Sequence, residues 1–246
     1  MIFLLKKKTV NLFVTGIFFV GLSIGTYSFA LHPNMNKWKN EQIVVTEVKT
    51  DRKAVALTFD DGPDPTNTPV LLDILKKHNV PATFFVTGIH SQEYPALVQR
   101  MALEDHEIGN HSYSHPDFNH KSNKFILNEI RKTNKIIYKL TGKQPVFFRP
   151  PGGYLSFDMV DLIRKEEMII AYWTYQQDSK DWANTSASRI ADHVIKNIKP
   201  GQIIILHDGC PNGLQTAKAV DTIIAKLSIQ GYEFLTLSDL IKSADK

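Results

Sequence analysis

Two adjacent carboxylates, Asp60 and Asp61, follow an apolar stretch of the sequence, and Gly62-Pro63 then turns the chain. Neighbouring side chains of a continued strand face opposite ways, so the turn is what would bring both acids to one pocket. Two carboxylates in one pocket suit a division of labour in which one binds a cation and the other acts as a base. Asp-Asp-Gly is also ordinary turn chemistry, which leaves a purely structural interpretation open.

Two histidines, His111 and His115, lie four positions apart, and Pro116 follows the second one. Proline disfavours helical geometry in the residue before it, so the pair is predicted on a loop. Neutral imidazoles beside a carboxylate are ligands for Zn²⁺ or a similar cation, although a pair with this spacing is often incidental. With Asp61 they would supply three ligands and leave positions open, as catalytic metal sites do.

A third motif is Arg149-Pro150-Pro151-Gly152-Gly153. Its prolines restrict the backbone, and its glycines have no side chains. The glycines expose backbone amides to close approach. An arginine at the end of a strand can orient a carboxylate through a forked contact. The alternative interpretation is a rigid surface turn with a solvated arginine.

His207 ends an apolar run, and Asp178, Asp181 and Trp182 follow another one. A histidine close to an acid that fixes its tautomer is suited to general acid catalysis, but it can also be a satisfied polar terminus. Trp182 either lines a sugar groove or belongs to the core. The single cysteine, Cys210, excludes an intramolecular disulfide and either lines the site or is a small buried residue.

The elements that must position these residues alternate between short apolar runs and longer segments with helical periodicity. Strands are predicted at residues 54–59, 82–86, 107–109, 146–148, 168–173, 202–206 and 233–235. Helices are predicted at residues 68–78, 94–104, 125–140, 157–166, 186–198, 215–229 and 238–241. The alternation indicates an α/β fold whose parallel sheet is closed or nearly closed into a barrel. All five motifs fall at predicted strand ends, where such barrels carry their chemistry.

The formal net charge of +4 originates at the N-terminus. Five lysines and no acidic residue lie in the first forty residues, which leaves 24 basic and 25 acidic side chains in the other 206. A nearly neutral body offers no electrostatic footprint for DNA or RNA, so a nucleic-acid partner is not expected.

An uncharged run, residues 9–31, follows Lys6, Lys7 and Lys8. It is long enough to cross a bilayer and also starts as a secretory signal does, so residues 1–31 are predicted to be a signal anchor or a signal peptide. The anchor is favoured because the run exceeds a usual signal core, and the lysines would hold the N-terminus inside the cell. Residues 32–50 are predicted to be a linker, polar over residues 32–40, and a lead-in strand.

The order and content of the five motifs resemble those of the polysaccharide deacetylases, the NodB-homology proteins of carbohydrate esterase family 4. The resemblance covers residues 54–241 and rests above all on the run Thr58 to Pro63, the two histidines and Arg149-Pro150-Pro151. It implies that residues 51–246 are a catalytic domain with a distorted (β/α) barrel fold. It also implies metal-dependent removal of acetyl groups from sugars, with Zn²⁺ as the expected cation and Co²⁺ as the alternative.

The resemblance further implies a role for each matching residue. These roles are metal binding by Asp61, His111 and His115; general base catalysis by Asp60, held by Arg149; general acid catalysis by His207, oriented by Asp181; oxyanion stabilisation by the N–H of Gly152; and a border of the substrate groove at Trp182. An amide leaving group needs a proton donor more than an ester does, so His207 favours removal of N-acetyl groups.

The sequence therefore predicts an extracytoplasmic deacetylase of N-acetylglucosamine polymers, anchored to the membrane or secreted to the cell wall. Peptidoglycan is the expected substrate and a chitin-like oligomer the alternative. Two other functions stay open, an esterase on O-acetylated polysaccharide of the xylan type and a catalytically silent glycan-binding wall protein. The expected partners are the polysaccharide and, through residues 1–31, the membrane; no obligate protein partner is evident.

Overall fold

The computed structural model describes residues 32–244. The predicted signal or anchor segment, residues 1–31, lies outside this range. None of the helices within residues 32–244 combines the length and the apolar character that a membrane crossing requires.

A curled sheet of parallel strands forms the centre of the fold. Its strands are β1 (Val44–Val45), β2 (Ala54–Asp60), β3 (Thr83–Val86), β4 (Glu107–Asn110), β5 (Phe147–Phe148), β6 (Ile169–Ala171), β7 (Ile203–His207) and β8 (Glu233–Phe234). They pair in the order β1-β6-β5-β4-β3-β2-β7, and β8 pairs with β2 outside this path. Because the ladders are parallel, the carboxyl ends of the strands meet at one edge. The distorted barrel predicted from the sequence is confirmed.

Helices connect the strands and cover the outside of the sheet. They are α1 (Met35–Asn40), α2 (Asn67–His78), α3 (Gly88–Glu93), α4 (Pro95–Leu103), α5 (Asn123–Thr141), α6 (Phe157–Lys165), α7 (Ala187–Asn197), α8 (Gly213–Ile229) and α9 (Leu237–Ser243). Short 3₁₀ turns at Pro151–Gly153 and Tyr175–Gln177 follow β5 and β6. Helices α5, α6, α7 and α9 each begin after a serine or threonine whose hydroxyl accepts a backbone N–H of the first turn, which is the reason they start where they do.

Strand β2 shows how the sheet positions the residues at its carboxyl end. All seven residues of β2 are buried because helices or the barrel interior cover both of its faces. Val55, Leu57 and Phe59 pack in the cluster under α2 and α8, whereas Ala54 and Ala56 belong to the opposite cluster. The two-residue period of a strand then turns Asp60 to the inner face, at the edge where the strands end.

The two end strands, β1 and β7, nearly meet. An isolated bridge joins Glu47 to Gln202, and the N–H of Val48 donates to the carbonyl oxygen of Gly201 at 2.8 Å. Gly201 has a φ of 76°, and a Cβ there would lie 1.8 Å from the Val48 oxygen, so only glycine permits this approach. The sheet is thus nearly closed, as the alternation of elements predicts.

The structure differs from the predicted polar linker at residues 32–40. Helix α1 lies there, with Met35 and Trp38 only 5% and 4% exposed. The ring of His32 stacks on Trp38 at 4.6 Å, and Phe157 of α6 contacts Trp38 edge-on at 5.4 Å. Two apolar residues three positions apart are enough to bury one face of a short helix, although polar residues dominate the segment.

Candidate active site

Asp60 and Asp61 lie at the carboxyl end of β2. Asp60 is 2% exposed and pairs in register with His207, the last residue of β7. Asp61 has a φ of 74°, in the left-handed region that aspartate tolerates better than most residues. This conformation ends the alternation of the strand, so that two consecutive carboxylates line the same cavity. The imidazole of His90 lies 2.9 Å from the carbonyl oxygen of Asp61, a contact that no sequence motif indicated.

Asp61, His111 and His115 each offer a ligand atom, and these atoms lie within 4.8 Å of one another. The Nε2 atoms of His111 and His115 are 3.3 and 3.2 Å from Oδ1 of Asp61. The Nδ1 of His111 donates to the carbonyl oxygen of Arg149 at 2.7 Å, which leaves the lone pair on Nε2, toward the cluster. Both histidines lie on the loop after β4, as predicted.

These residues fit a divalent cation. The buried Oδ1 of Asp61 accepts no hydrogen bond, and a cation would give this orphaned atom a partner. One carboxylate and two imidazoles are a donor set typical of catalytic zinc, with positions left open.

Opposing charges set the protonation of this cluster. Burial alone would raise the pKa of Asp61, but the imidazoles of His111 and His115 outweigh it and lower that pKa. Burial alone would lower the pKa of His111, but the carboxylates of Asp60 and Asp61 raise it. For His115 burial dominates, and its pKa is lowered. The lowered pKa values of Asp61 and His115 favour the ionised carboxylate and the neutral imidazole that ligation requires, whereas a cation must compete with a proton for His111.

Arg149 is fully buried and fixes Asp60. Its Nη1 donates to Oδ1 of Asp60 at 2.7 Å and to Oγ1 of Thr58 at 2.8 Å. Its Nε donates to the carbonyl oxygen of Ala171 and its Nη2 to the carbonyl oxygen of Tyr172, both at 2.9 Å. The guanidinium therefore occupies one carboxylate oxygen of Asp60, while Oδ2 points toward the cluster, 3.9 Å from Nε2 of His111.

His207 forms the second charged pair, with Asp181. Its Nδ1 lies 2.8 Å from Oδ1 of Asp181, whose Oδ2 accepts the backbone N–H of His207 and the hydroxyl of Thr216, both at 2.8 Å. Burial would lower the pKa of His207, but the Asp181 carboxylate, helped by Asp61 and Asp60, raises it to about 10. The imidazole is therefore protonated at neutral pH, and Nε2 is the proton donor that Asp181 leaves free.

Gly152 lies in the 3₁₀ turn after β5 and lines the same cavity. Gly152 and Gly153 have φ values of 61° and 71°, which explains glycine at both positions. The turn is held by bonds from the N–H of Gly153 to Pro150 and from the N–H of Tyr154 to Pro151. The amide of Gly152 takes no part in these two bonds.

A cavity of about 610 Å³ brings the predicted site together. The predicted residues that line it are Asp60, Asp61, His111, His115, Gly152, Trp182 and His207. Arg149 and Asp181 lie behind this surface, bound to Asp60 and His207. Cys210 also lines the cavity, is 8% exposed, and has its pKa raised to about 12 by burial, so its thiol is protonated at neutral pH.

Sequence reasoning assigned no role to several residues that line the cavity. They are Trp173, Tyr175, Gln176, Lys180, His193 and Asn197. All six belong to the segment from the end of β6 to the end of α7. Their positions depend on how that segment folds over the sheet edge, and residue type and spacing do not signal this.

Comparisons with known proteins agree with this geometry. A sequence model of the polysaccharide deacetylase family matches residues 47–169. A peptidoglycan-N-acetylglucosamine deacetylase of Bacillus cereus is 41% identical over 199 residues, which are 81% of this chain and 93% of the relative.

Solved structures show the same fold. A peptidoglycan N-acetylglucosamine deacetylase in complex with 4-naphthalen-1-yl-N-oxidanyl-benzamide has a TM-score of 0.80 and 36% identity, over 84% of this chain and 96% of that one. A family 4 acetyl xylan esterase of Clostridium thermocellum, in complex with a cobalt ion, has a TM-score of 0.71 and 40% identity, over 77% of this chain and 91% of that one. The chain therefore belongs to the polysaccharide deacetylase family, carbohydrate esterase family 4.

Proposed function

We propose that the protein hydrolyses the N-acetyl group of N-acetylglucosamine residues in cell-wall peptidoglycan. Family membership and the names of the relatives in Bacillus cereus and among the solved structures support this activity. The observation that carries the proposal is the meeting of three groups in one cavity: the Asp-His-His cluster, the Asp60–Arg149 pair and the His207–Asp181 pair.

Asp61, His111 and His115 would hold the divalent cation. Zn²⁺ is the expected metal because two imidazoles and one carboxylate suit it, and Co²⁺, the ion in the Clostridium relative, prefers similar donors. When bound, the cation supplies Lewis-acid polarisation of the acetyl carbonyl and lowers the pKa of water in the site.

Asp60 would act as the general base. Its Oδ1 is engaged by Arg149, so Oδ2 is the atom that accepts the proton as water attacks the acetyl carbon. The buried guanidinium keeps this carboxylate in one orientation throughout the reaction. The amide of Gly152 would donate a hydrogen bond to the oxyanion that develops on the acetyl oxygen.

His207 would act as the general acid. The carboxylate of Asp181 keeps Nδ1 protonated and the ring charged, so Nε2 gives its proton to the departing amine. An amine is expelled from an amide only once it is protonated, whereas an alcohol leaves an ester more readily. A strongly protonated His207 therefore supports N-deacetylation. Trp182 would form one wall of the sugar groove.

Acetate release tests the proposal directly. Purified residues 32–246, supplied with Zn²⁺ or Co²⁺, should release acetate from peptidoglycan or chitin oligomers, and a chelator should stop the reaction. Absence of acetate release from both polymers with both metals would contradict the proposal and leave the xylan-type esterase and the catalytically silent glycan-binding protein as the alternatives.

Replacement of the base gives a second test. Asp60→Asn should reduce kcat by about 100-fold or more while the protein retains its metal, because a carboxamide in place of the carboxylate cannot accept the proton. Asp105→Asn, a change at an exposed acid outside the cavity, is the matched control and should leave kcat unaltered. Retained activity of Asp60→Asn would contradict the assignment of the base.

An esterase activity on O-acetylated xylan is the second candidate, because the Clostridium relative is named an acetyl xylan esterase and is 40% identical. Parallel assays with acetyl-xylan, peptidoglycan and chitin oligomers separate the two. A kcat/KM for acetyl-xylan above that for both amino-sugar polymers would favour the esterase.

Peptidoglycan as substrate supports an extracytoplasmic location. Residues 1–31 would anchor the protein in the membrane with its N-terminus inside, or be cleaved so that the protein enters the wall. Cell fractionation with N-terminal sequencing of the mature protein distinguishes the two outcomes.

A further inference from the structure

The cavity extends beyond the catalytic pairs, along the segment between β6 and α7. Tyr175 and Trp182 give this part aromatic surfaces of the kind that pack against sugar rings. A volume of about 610 Å³ exceeds one sugar ring, so the cavity has room for part of the sugar next to the acetylated one.

Lys180 brings a positive charge to this part of the cavity. Among the described residues that line the cavity, Lys180 alone carries an ammonium or guanidinium group. Its side chain is exposed and takes part in none of the ion pairs found within residues 32–244.

The backbone of Lys180 is held by hydrogen bonds, although its ammonium group forms no ion pair with a residue of the range 32–244. Its φ is 51°, a left-handed conformation, and its N–H donates to Oδ1 of Asp178 at 3.0 Å. Its carbonyl oxygen accepts the N–H of Ala183 at 3.0 Å and the hydroxyl of Thr185 at 2.9 Å. The next residue, Asp181, is tied to His207. The lysine is therefore held in a constant position relative to the general acid.

The other charges of the cavity have partners. Asp60 pairs with Arg149, His207 pairs with Asp181, and Asp61 lies between two imidazoles that would share a cation with it. Asp178 accepts the Lys180 amide with one oxygen, and its carboxylate also attracts the Lys180 ammonium without coming within ion-pair distance. The ammonium of Lys180 thus forms no ion pair with a described residue and can meet an anionic group of the substrate.

We propose that Lys180 is a specificity-determining residue that binds a carboxylate on the sugar next to the one being deacetylated. This inference rests on the proposed function and names the substrate class within it: glycan strands whose muramic acid residues carry a free lactyl carboxylate, rather than a neutral chitin chain. A stem peptide joined to the lactyl group turns that carboxylate into a neutral amide, so the strands meant here are those without stem peptides. The carboxylate approaches Lys180 as the acetylated sugar reaches the catalytic pairs, and the ion pair contributes to binding.

The test compares two oligomers of alternating N-acetylglucosamine and N-acetylmuramic acid. One has free lactyl carboxylates, and in the other these are capped as neutral methyl amides; the acetate released from glucosamine gives kcat/KM for each. We expect the wild-type protein to prefer the free acid about fivefold, mainly through a lower KM, with the preference falling as salt is added. Lys180→Met should bring the ratio near one, and Lys180→Arg should retain it.

Lys226→Met is the matched control, because Lys226 is an exposed lysine of α8 outside the cavity; this variant should keep the preference. The amide oligomer is an internal reference, since a misfolded variant would lose activity on both substrates. The inference is overturned if the wild-type protein does not distinguish acid from amide, or if Lys180→Met keeps the full preference. Chitopentaose is assayed as a third oligomer to distinguish failure of this inference from failure of the proposed function. If the proposed function is wrong, the protein releases acetate from none of the three oligomers.

Discussion

At the scale of single residues, Asp60 and His207, the proposed base and acid, are each held by a partner that does not line the cavity. Asp60 and His207 line the cavity, whereas Arg149 and Asp181 are 0% and 1% exposed behind them. A buried partner fixes the orientation and charge of the reacting group without taking up space that the substrate needs. The two partners carry opposite charges: the guanidinium of Arg149 lies beside Asp60, and the carboxylate of Asp181 raises the pKa of His207.

Asp181→Asn is expected to move the alkaline limb of the pH–rate profile to lower pH. The Asp181 carboxylate outweighs the burial that lowers the pKa of His207, so its removal lets that pKa fall from about 10. A reaction that needs protonated His207 is lost as pH rises through this pKa, and the loss should come earlier in the variant. We also expect kcat at neutral pH to fall by about 100-fold. The measurement is kcat/KM between pH 6 and about 10.5.

Asp192→Asn is the control for this experiment, because Asp192 is an exposed residue of α7 that does not line the cavity. An alkaline limb that stays in place in Asp181→Asn, together with a lowered kcat, would show that Asp181 positions the imidazole without setting its charge.

Residue types and motif order are enough to predict the residues that meet in this site. Residue types and motif order do not predict the backbone conformation that turns the Asp61 carboxylate into the cavity. The φ of Asp61 is 74°, and this conformation depends on contacts with His90 and Gly209, which are distant in sequence. Residue types and motif order also do not single out Lys180, because the sequence does not distinguish a lysine that lines a cavity from a solvated surface lysine.

At the scale of elements, backbone hydrogen bonds join the carboxyl ends of β2 and β7 next to the cavity. The amides of Asp208 and Gly209 both donate to the carbonyl oxygen of Asp60, at 3.2 and 3.3 Å. The hydroxyl of Thr68 donates to the buried carboxylate of Asp208. The turn that carries Asp61 is therefore positioned by the strand that carries His207.

Gly209→Ala is expected to weaken metal binding by at least about tenfold. A Cβ at Gly209 would lie 2.2 Å from the backbone carbonyl carbon of Asp61, so the turn must move away and carry the Asp61 carboxylate with it. Ligand geometry within a few tenths of an ångström decides affinity in such sites. Competition with a chromophoric chelator measures the Kd for Zn²⁺.

Gly142→Ala separates metal affinity from general destabilisation. Gly142 caps α5 with a φ of 73°, and no atom lies within 4 Å of a Cβ built there. This variant should lose about 1 kcal/mol of stability and keep the wild-type Kd. If both variants bind Zn²⁺ as tightly as the parent, the packing of β7 on the turn does not control the metal cluster.

Periodicity predicts the strands and the long helices because each buries one face or both. It fails for α1 and α3, which have six residues each. Helices this short give too few repeats of the apolar pattern, and α1 exists because Trp38 finds a pocket beside Phe157, far along the chain.

At the scale of the whole molecule, the edge at the carboxyl ends of the strands differs in its residues from the edge at their amino ends. The carboxyl ends of the strands carry charged residues that line the cavity, and the opposite edge carries buried polar residues with structural contacts. His106, just before β4, is one of these: it is 8% exposed, and its Nδ1 accepts the N–H of Ala82 at 3.2 Å. Its Nε2 is buried without a partner, and Phe84 packs edge-on against the ring at 5.3 Å.

The stability of the protein should fall on acidification because of His106. Burial lowers the pKa of His106 from 6.5 to about 4. Between pH 6.5 and pH 4, His106 is therefore protonated in the unfolded chain but neutral in the folded protein. The contribution to stability is complete above pH 6.5 and is lost as pH falls toward 4. We expect a loss of about 2 kcal/mol between pH 7 and pH 5 from this residue. Urea denaturation of the metal-free protein at both values measures it.

His106→Asn isolates this effect, because its amide oxygen can accept the Ala82 N–H but does not titrate. The variant should be less stable at pH 7, since it loses ring packing on Phe84, yet its stability should fall less between pH 7 and pH 5 than that of the parent. His120→Asn, at an exposed position, should keep the parental pH dependence. An equal loss in the parent and in His106→Asn would assign the acid sensitivity to other groups, the metal-cluster histidines first among them.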